Sequence, residues 1–499
     1  MDDPASQRQS QVHSIEHAAV RDDPRKWSKG RKRFTLALVS SASLLLTLAV
    51  SIYNPAIDDI IQDLNTSFES ISWTISIHAL VQGCFPLMWG AFSELYGRKV
   101  VYLLSIALFI LGSGIAGATN SIGMLIEMRV IQGIGGSAVL TIGAATLADI
   151  YDPEERGSAM GLYYAAPLIG PSLGPLIGGA LTSFFSWRAT FYFLAIFGGV
   201  SFIGFLFFKD TFRPQRSSVY QAALRDVLES SKNLAAVPSY EDRRHLLAST
   251  TEEAGSENQP LLKQDVKLKL SDMHLIRPIV QVSKRLNNIC ILIASGLIYG
   301  GITYCISYTS VRTFGGPPYN YQPLFLGLVL LSFGVGNMFG SVLGGRWSDY
   351  IRKIYKDKNG GVSKCEDRLN SAKIMMPILP LSLLGYGWMA EKKFPILPIC
   401  VAMFLTGFSS LWIYSSILAY IVDANAGRSS SAVAVNSFFR GLMAFIAAEV
   451  AIPLQTALGD GSLYTLISGI MIIESGLLLL LITKGGEWRE SAEREEKRL

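Results

Sequence analysis

Twelve stretches of the chain are almost wholly apolar, with polar segments between them: 34–55, 71–92, 100–119, 122–147, 158–182, 187–208, 288–311, 322–346, 371–390, 395–421, 430–453 and 463–483. A run of about 20 apolar residues is enough to cross the hydrocarbon core of a bilayer. Inside hydrocarbon every backbone N–H and C=O must be satisfied within the protein, so each run predicts a helix. The least regular are 371–390, with two prolines, and 430–453, which holds Arg440 and Glu449. The pattern predicts an all-α integral membrane protein with twelve transmembrane helices.

Composition agrees with the pattern. Of 499 residues, 50% are hydrophobic and 17% charged, against about 25% charged in soluble proteins. Windows such as 34–57 and 158–187 hold no Lys, Arg, Asp or Glu. This excludes a soluble enzyme, a disordered chain and a nucleic-acid binder. The net charge of +5 gains meaning only from its location. Lys and Arg gather in the N-terminal tail, around Arg98 and Lys99, in 209–287, in 346–373 and in the C-terminal tail. On the opposite side fall only Arg188, Arg312, Lys392 and Lys393, while Arg129 and Arg440 lie inside apolar runs. Cytoplasmic loops carry the excess of basic residues, so both termini are expected in the cytosol and the number of crossings is even.

Cys84, Cys290, Cys305, Cys365 and Cys400 are scattered without metal-ligand spacing and read as small buried hydrophobes. No metal, cofactor or catalytic constellation is expected. A polar stretch of about 33 residues precedes the first run, which therefore reads as an uncleaved signal-anchor.

The organisation follows. Residues 1–33 form a cytoplasmic tail, 34–208 a six-helix half, 209–287 a linker, 288–483 a second six-helix half, and 484–499 a short cytoplasmic tail. The linker is rich in Ser, Glu, Lys and Gln and is expected to be mostly disordered. It carries two acidic-dileucine patterns, Asp242 to Leu247 and Glu257 to Leu262, which resemble sorting signals. Asn65-Thr66-Ser67 is a glycosylation sequon in an outer loop. The halves share a weak repeat. After the second run comes Gly90-x-x-x-Glu94-x-x-Gly97-Arg98-Lys99, and after the eighth comes Gly345-x-x-x-Asp349-x-x-Arg352-Lys353. Two facing repeats are the usual architecture of an alternating-access carrier.

Three motifs carry mechanism. In GAFSELYGRKV, 90–100, Gly90 is expected to let helices approach, Gly97 to make a tight turn, and Glu94, Arg98 and Lys99 to form an ion-pair latch, with Asp349 its counterpart. In LIEMRVIQGIGGSA, 125–138, Arg129 sits in an apolar run, where a charge costs at least about 2.5–3.5 kcal/mol. It should therefore face a cavity or a partner; Gln132 shares its helix face, and Glu127 is a nearby carboxylate. In LIGPSLGPLIGG, 168–179, Gly170, Gly174 and Gly178 give a smooth packing face, while Pro171 and Pro175 loosen the backbone.

With these motifs the chain resembles the major facilitator superfamily, in particular the fungal twelve-spanner drug:proton antiporters of the quinidine-resistance and dityrosine-exporter branch. The resemblance covers 34–208 and 288–483. Family patterns match at Gly90, Gly97, Arg98 and Lys99, with Glu94 where the family has Asp; at Arg129 and Gln132; and at Gly170, Gly174, Pro175, Gly178 and Gly179. GGPPYNYQPLFLG, 315–327, and GGRWSDYIRK, 344–353, look like the same branch. The resemblance implies the major facilitator fold, a role for Arg129 in proton coupling or anion binding, and export for the glycine motif.

The remaining intramembrane polar residues are candidates because burying them is costly. They are His78 and Gln82 on the second helix, Arg346, Arg440, Glu449 and Glu474, with Glu449 and Glu474 as proton-carrying carboxylates. Asn54, Tyr163, Tyr164, Tyr304, Asn337, Tyr414 and Asn436 are candidate cavity residues. The expected protein is not an enzyme. It is a monomeric, proton-coupled antiporter in the lipid bilayer that exports drugs, polyamines or related small molecules. A di- or tricarboxylate exporter is the alternative, favoured by Arg129, Arg346 and Arg440; a non-transporting sensor is a third reading. The plasma membrane is the expected location, with a vacuolar or endosomal membrane second.

Overall fold

The computed structural model describes residues 20, 22–217, 220–221, 276–358, 360, 364–425 and 429–496. Most of the N-terminal tail, the middle of the linker with both dileucine patterns, and the last three residues lie outside the described residues.

The first half contains α1 (Lys29–Asp63), the bent α2 (Phe68–Cys84 and Pro86–Tyr96), α3 (Arg98–Ala118), α4 (Ile122–Ile150), α5 (Pro153–Phe184) and α6 (Trp187–Leu206). The second contains α7 (Leu286–Gly315), α8 (Pro323–Lys358), α9 (Ile378–Glu391), α10 (Ile396–Ala424), and α11 and α12, which together form the run Ser429–Glu496 broken at Gly459. Gly459 has φ 78°, the left-handed region that glycine enters freely, and it turns the chain between the two helices. Ser28, Ser67 and Ser121 start α1, α2 and α4 by accepting the N–H three residues on. Pro86 has no N–H to give, and α2 bends there by 42°. Eight described helices are long and apolar enough to cross a membrane, and the bent pair makes nine. One of the eight is the α11–α12 run.

Three expected boundaries move. The run 371–390 does not begin a helix at 371: Cys365–Ile374 is a 3-10 segment, and α9 starts after Pro377. α8 continues past 346 to Lys358 and so carries Asp349 and Arg352 on its last turns. The C-terminal segment is helical to Glu496 and docked, with Arg489 on Glu366 at 3.3 Å and Arg285 on Glu496 at 2.8 Å.

Glycine faces set the packing. A Cβ at Gly170, Gly174 or Gly178 would strike Thr47, Ser51 or Ile52 of α1. Gly336, Gly340 and Gly344 play the same part in α8, lying against Phe404, Phe408 and Trp412 of α10. The halves meet along two seams. α5 meets α8, where Gly179 lies on Pro323 and Gly327 on Pro175; α2 meets α11, where Gly83 lies on Gly441. Gly90 is different: a Cβ there would meet only Thr141, at an ordinary 3.8 Å. The expected close approach at Gly90 is absent.

Candidate functional site

The bundle has two ends. The terminal face carries the start of α1 and the end of α12; the far face carries the α1–α2, α5–α6, α7–α8 and α11–α12 connections. Between them, a cavity at the junction of the halves is lined from α1 by Ser51 and Asn54, from α2 by Gln82, from α7 by Tyr299, Tyr304 and Tyr308, and from α11 by Arg440.

On the first half's side, Arg129 is 1% exposed. Its Nε donates to the Thr74 carbonyl at 3.2 Å and its Nη1 to the Ala49 carbonyl at 3.0 Å and to Gln132. The guanidinium carbon stands 4.7 Å from the centre of the Tyr53 ring. Gln132 donates onward to Ser113 at 2.7 Å, and Tyr53 and Thr74 share a 2.9 Å hydroxyl bond. Thus α4 holds a cation through main-chain oxygens of α1 and α2, one amide and one aromatic face. The expected partner Glu127 is exposed and makes no ion pair with it. Positions 127 and 129 fall on nearly opposite sides of a helix.

On the second half's side, Arg440 is stacked 3.5 Å over the Tyr299 ring, and its Nη1 donates to the Tyr414 hydroxyl at 3.0 Å. Asn436, bonded to Ser295, donates to the same hydroxyl at 3.4 Å. Tyr299 lies in a π-helical turn, Gly296–Ile302, that interrupts α7. Such turns are frequent at functional sites. Gly300 in that turn lets α7 approach the Arg440 carbonyl, which a Cβ would meet at 2.5 Å. The Arg440 Nε is buried without a partner, and among the described residues Arg440 makes no salt bridge.

Among the described residues, three side-chain hydrogen bonds tie the halves, all toward the far face. Ser72 and Ser76 of α2 donate to Glu449 of α11 at 3.1 and 2.5 Å, and the Tyr308 hydroxyl donates to the Phe68 carbonyl at 2.7 Å. Among the described residues, the ion pairs of the terminal face stay within a half. Arg98 meets Glu94 at 2.9 Å and Asp149 at 3.3 Å, under the ring of Phe212. In the second half Arg368 meets Asp349 at 2.7 Å and Asp423 at 2.6 Å. Asp349 therefore pairs with Arg368 rather than with the Arg352 of its own motif, which reaches Asp423 at 3.4 Å. Each half thus has an arginine between a carboxylate on its second helix and one at the end of its fourth.

The start of the linker completes the first latch. Gly97, φ 86°, lies against Asp210, whose carboxylate accepts the N–H groups of Arg98 and Lys99 at the start of α3. Lys99 itself donates to the Leu206 carbonyl at 2.7 Å. Thr211 donates to Asp149 at 2.9 Å, and Ser217 to Glu94. Asp23 of the tail accepts from Arg216, which holds its carboxyl below the ordinary value. Asp149, Asp210 and Ser217 were not among the sequence candidates. Asp149 could have been marked by its place at the polar end of an apolar run; Asp210 and Ser217 lie in a segment whose composition hid them.

The other candidates fall as follows. Gln82, Tyr304 and Asn54 line the cavity. His78 is buried behind them against α4, with Nδ1 3.0 Å from the Arg129 carbonyl. Arg346 is exposed on α8 and outside the cavity lining. Glu474 is 1% exposed, and neither carboxyl oxygen has a partner. Tyr163 bonds main-chain oxygens of α4, and Asn337 packs against Gly407. The side chain of Tyr164 lies outside the described residues. Asn65 is exposed between α1 and α2.

The sequence profile of the Major Facilitator Superfamily matches residues 39–448. "MFS antiporter QDR3" of Candida albicans is 29% identical, over 94% of this chain and 80% of its own length. "Quinidine resistance protein 3" of Saccharomyces cerevisiae is 25% identical, over 98% and 87%. "Citrate exporter 1" of Aspergillus niger is 26% identical, over 94% and 89%. In fold, the chain is similar to a bacterial homologue of the human lysosomal transporter Spinster, solved inward-facing and unoccupied. The TM-score is 0.60 at 12% identity, covering 94% of this chain and 98% of that one.

Proposed function

The chain belongs to the Major Facilitator Superfamily, and from that premise we propose that it exports a small organic acid in exchange for protons by alternating access. It is a multi-pass secondary transporter. The terminal face, with its basic residues, is read as cytosolic, and the far face as external. The three cross-half bonds at the far face support a conformation shut to the outside.

The observation that carries the substrate reading is the charge of the cavity lining. Arg440 is in that lining, and among the described residues no Asp or Glu is. A carboxylate entering from the cytosol would neutralise a guanidinium that has no acidic partner among the described residues, through charge-assisted hydrogen bonds. A polyamine would meet only a like charge there. The tyrosines of α7 favour a second reading, a lipophilic drug stacked on aromatic faces. The plasma membrane is the proposed location, Asn65 the proposed glycan site, and one chain the working unit, since a single chain lines the cavity from both halves.

Inside-out vesicles with an acidified lumen test the reading, with labelled citrate, quinidine and spermidine as probes. We expect citrate to accumulate with the pH gradient, and Arg440→Gln to reduce this at least about tenfold, the loss of a little over 1.4 kcal/mol of binding. Accumulation of spermidine, unchanged in Arg440→Gln, would refute the anion assignment.

A further inference from the structure

One buried base in the first half has a lone pair and nothing bonded to it: Nε2 of His78. The side chain is 1% exposed, and its Nδ1 lies 3.0 Å from the Arg129 carbonyl oxygen. A carbonyl only accepts, so Nδ1 carries the ring hydrogen and donates it, and Nε2 is the bare nitrogen. Gly133 makes the room: a Cβ there would stand 3.1 Å from Nδ1.

We propose that Nε2 of His78 takes up and releases the coupling proton. The assignment rests on the proton-antiport reading and names the group that serves it. Near Arg129 the described residues of the first half offer no carboxylate for the task. Glu127 is exposed, and Glu94 is engaged with Arg98 at the terminal face. Among the described residues Arg129 makes no salt bridge, so its charge is balanced only by carbonyls, Gln132 and the Tyr53 ring.

A proton from the external water joins the Nε2 lone pair, imidazole becomes imidazolium, and the same proton leaves to the cytosol. The Nδ1–H keeps its carbonyl throughout. A new Nε2–H would have no acceptor in the described arrangement, and it would place a second cation beside Arg129. This arrangement is therefore that of the neutral ring, and proton binding favours a different one.

The ring is well placed to move the seam between the halves. It stands on α2 between Ser76, which holds Glu449, and Gly83, which lies on Gly441 of α11. One turn beyond, Gln82 enters the cavity lining. The titratable and charged groups that face this part of α2 from the elements around it are Arg129 on α4, Tyr53 on α1, Tyr304 and Tyr308 on α7, and Arg440 and Glu449 on α11. Tyr53 is bonded to Thr74, Tyr308 to the Phe68 carbonyl, and Glu449 to Ser72 and Ser76. None of them is bonded to Nε2.

The test uses the full chain in lipid vesicles. Spin labels on the α5–α6 and α7–α8 connections report the far-face distance by pulsed electron paramagnetic resonance at pH 8 and pH 5. Wild type is expected to gain the longer, far-face-open distance several-fold at pH 5. His78→Asn keeps an N–H for the Arg129 carbonyl but cannot titrate; it is expected to show the pH 8 distribution at both values. His78→Gln is the second variant if the first is poorly folded, and Glu449→Gln, which alters a seam residue, is expected to keep the shift between pH 8 and pH 5 whatever its resting distribution. In parallel, nitrogen NMR of histidine-labelled protein should show one signal, absent in His78→Asn, changing from neutral ring to imidazolium over the same interval. A purely structural role would not produce that change. A wild-type-like response in both His78 variants overturns the proposal alone, as does a response lost in Glu449→Gln but kept in His78→Asn. A wild type without any pH response overturns the proton-antiport reading and the proposal with it.

Discussion

Arg129 shows what a single side chain does when a membrane helix must hold a charge. Its three hydrogen bonds reach two other helices and one amide on its own. A lysine would keep the charge, but as one point on a flexible stem rather than a planar fork. Hydrogen bonds to a charged group are each worth about 1.5–3 kcal/mol, so losing even one is enough to lower activity about tenfold or more. We expect Arg129→Lys and Arg129→Ala both to abolish transport at normal surface expression, measured in the vesicle assay beside a quantified membrane fraction. Unimpaired pH-driven export by either variant would refute the role. The position of Arg129 was legible because a charge inside an apolar run is costly. Its partners were not, because main-chain oxygens of α1 and α2 leave no mark in sequence. The Glu127 expectation failed on helix geometry, since two residues along a helix point to nearly opposite sides.

At the scale of helices, apolar runs predicted the spans, and glycine spacing predicted one of the packing faces. The second glycine face, Gly336, Gly340 and Gly344, has the same spacing and was legible in principle. The start of α9 was not. Pro377 caps α9 and Pro380 sits in its first turn, where a missing N–H costs nothing, and the preceding 3-10 segment buries Glu366 and Asp367, which composition alone assigns to a loop. The glycines also separate motif from packing. A Cβ at Gly178 would stand 1.5 Å from the Ile52 carbonyl oxygen, while one at Gly90 meets a methyl at 3.8 Å. Overpacking of this kind costs about 1–3 kcal/mol or more. Gly178→Ala is therefore expected to lower the thermal unfolding temperature of the purified protein clearly, and Gly90→Ala to leave it within error in this conformation. Equal shifts for the two would contradict the packing assignment.

For the whole molecule, the repeated acidic motif falls at equivalent places, the terminal-face ends of α2 and α8. The wiring within each half depends on residues distant in sequence, Asp149 for Arg98 and Arg368 for Asp349. What holds the halves in their present relation is the far face: the α5–α8 glycine contact, the Tyr308 bond and the Glu449 pair with Ser72 and Ser76. The terminal-face latches cannot do this, because each lies within one half. Removing both serine hydroxyls leaves Glu449 with neither donor at the seam, while the glycine contact remains. A half-buried carboxylate that loses its donors gains by reaching water, and here water is reached by separation of α2 from α11. Ser72→Ala combined with Ser76→Ala is therefore expected to raise the far-face-open population several-fold at neutral pH, read as the longer distance between spin labels on the α5–α6 and α7–α8 connections. A distribution identical to wild type would mean that the glycine seam alone keeps the far face shut. The double alanine change should also weaken export, because a carrier that rests open to the outside presents its cavity to the cytosol less often.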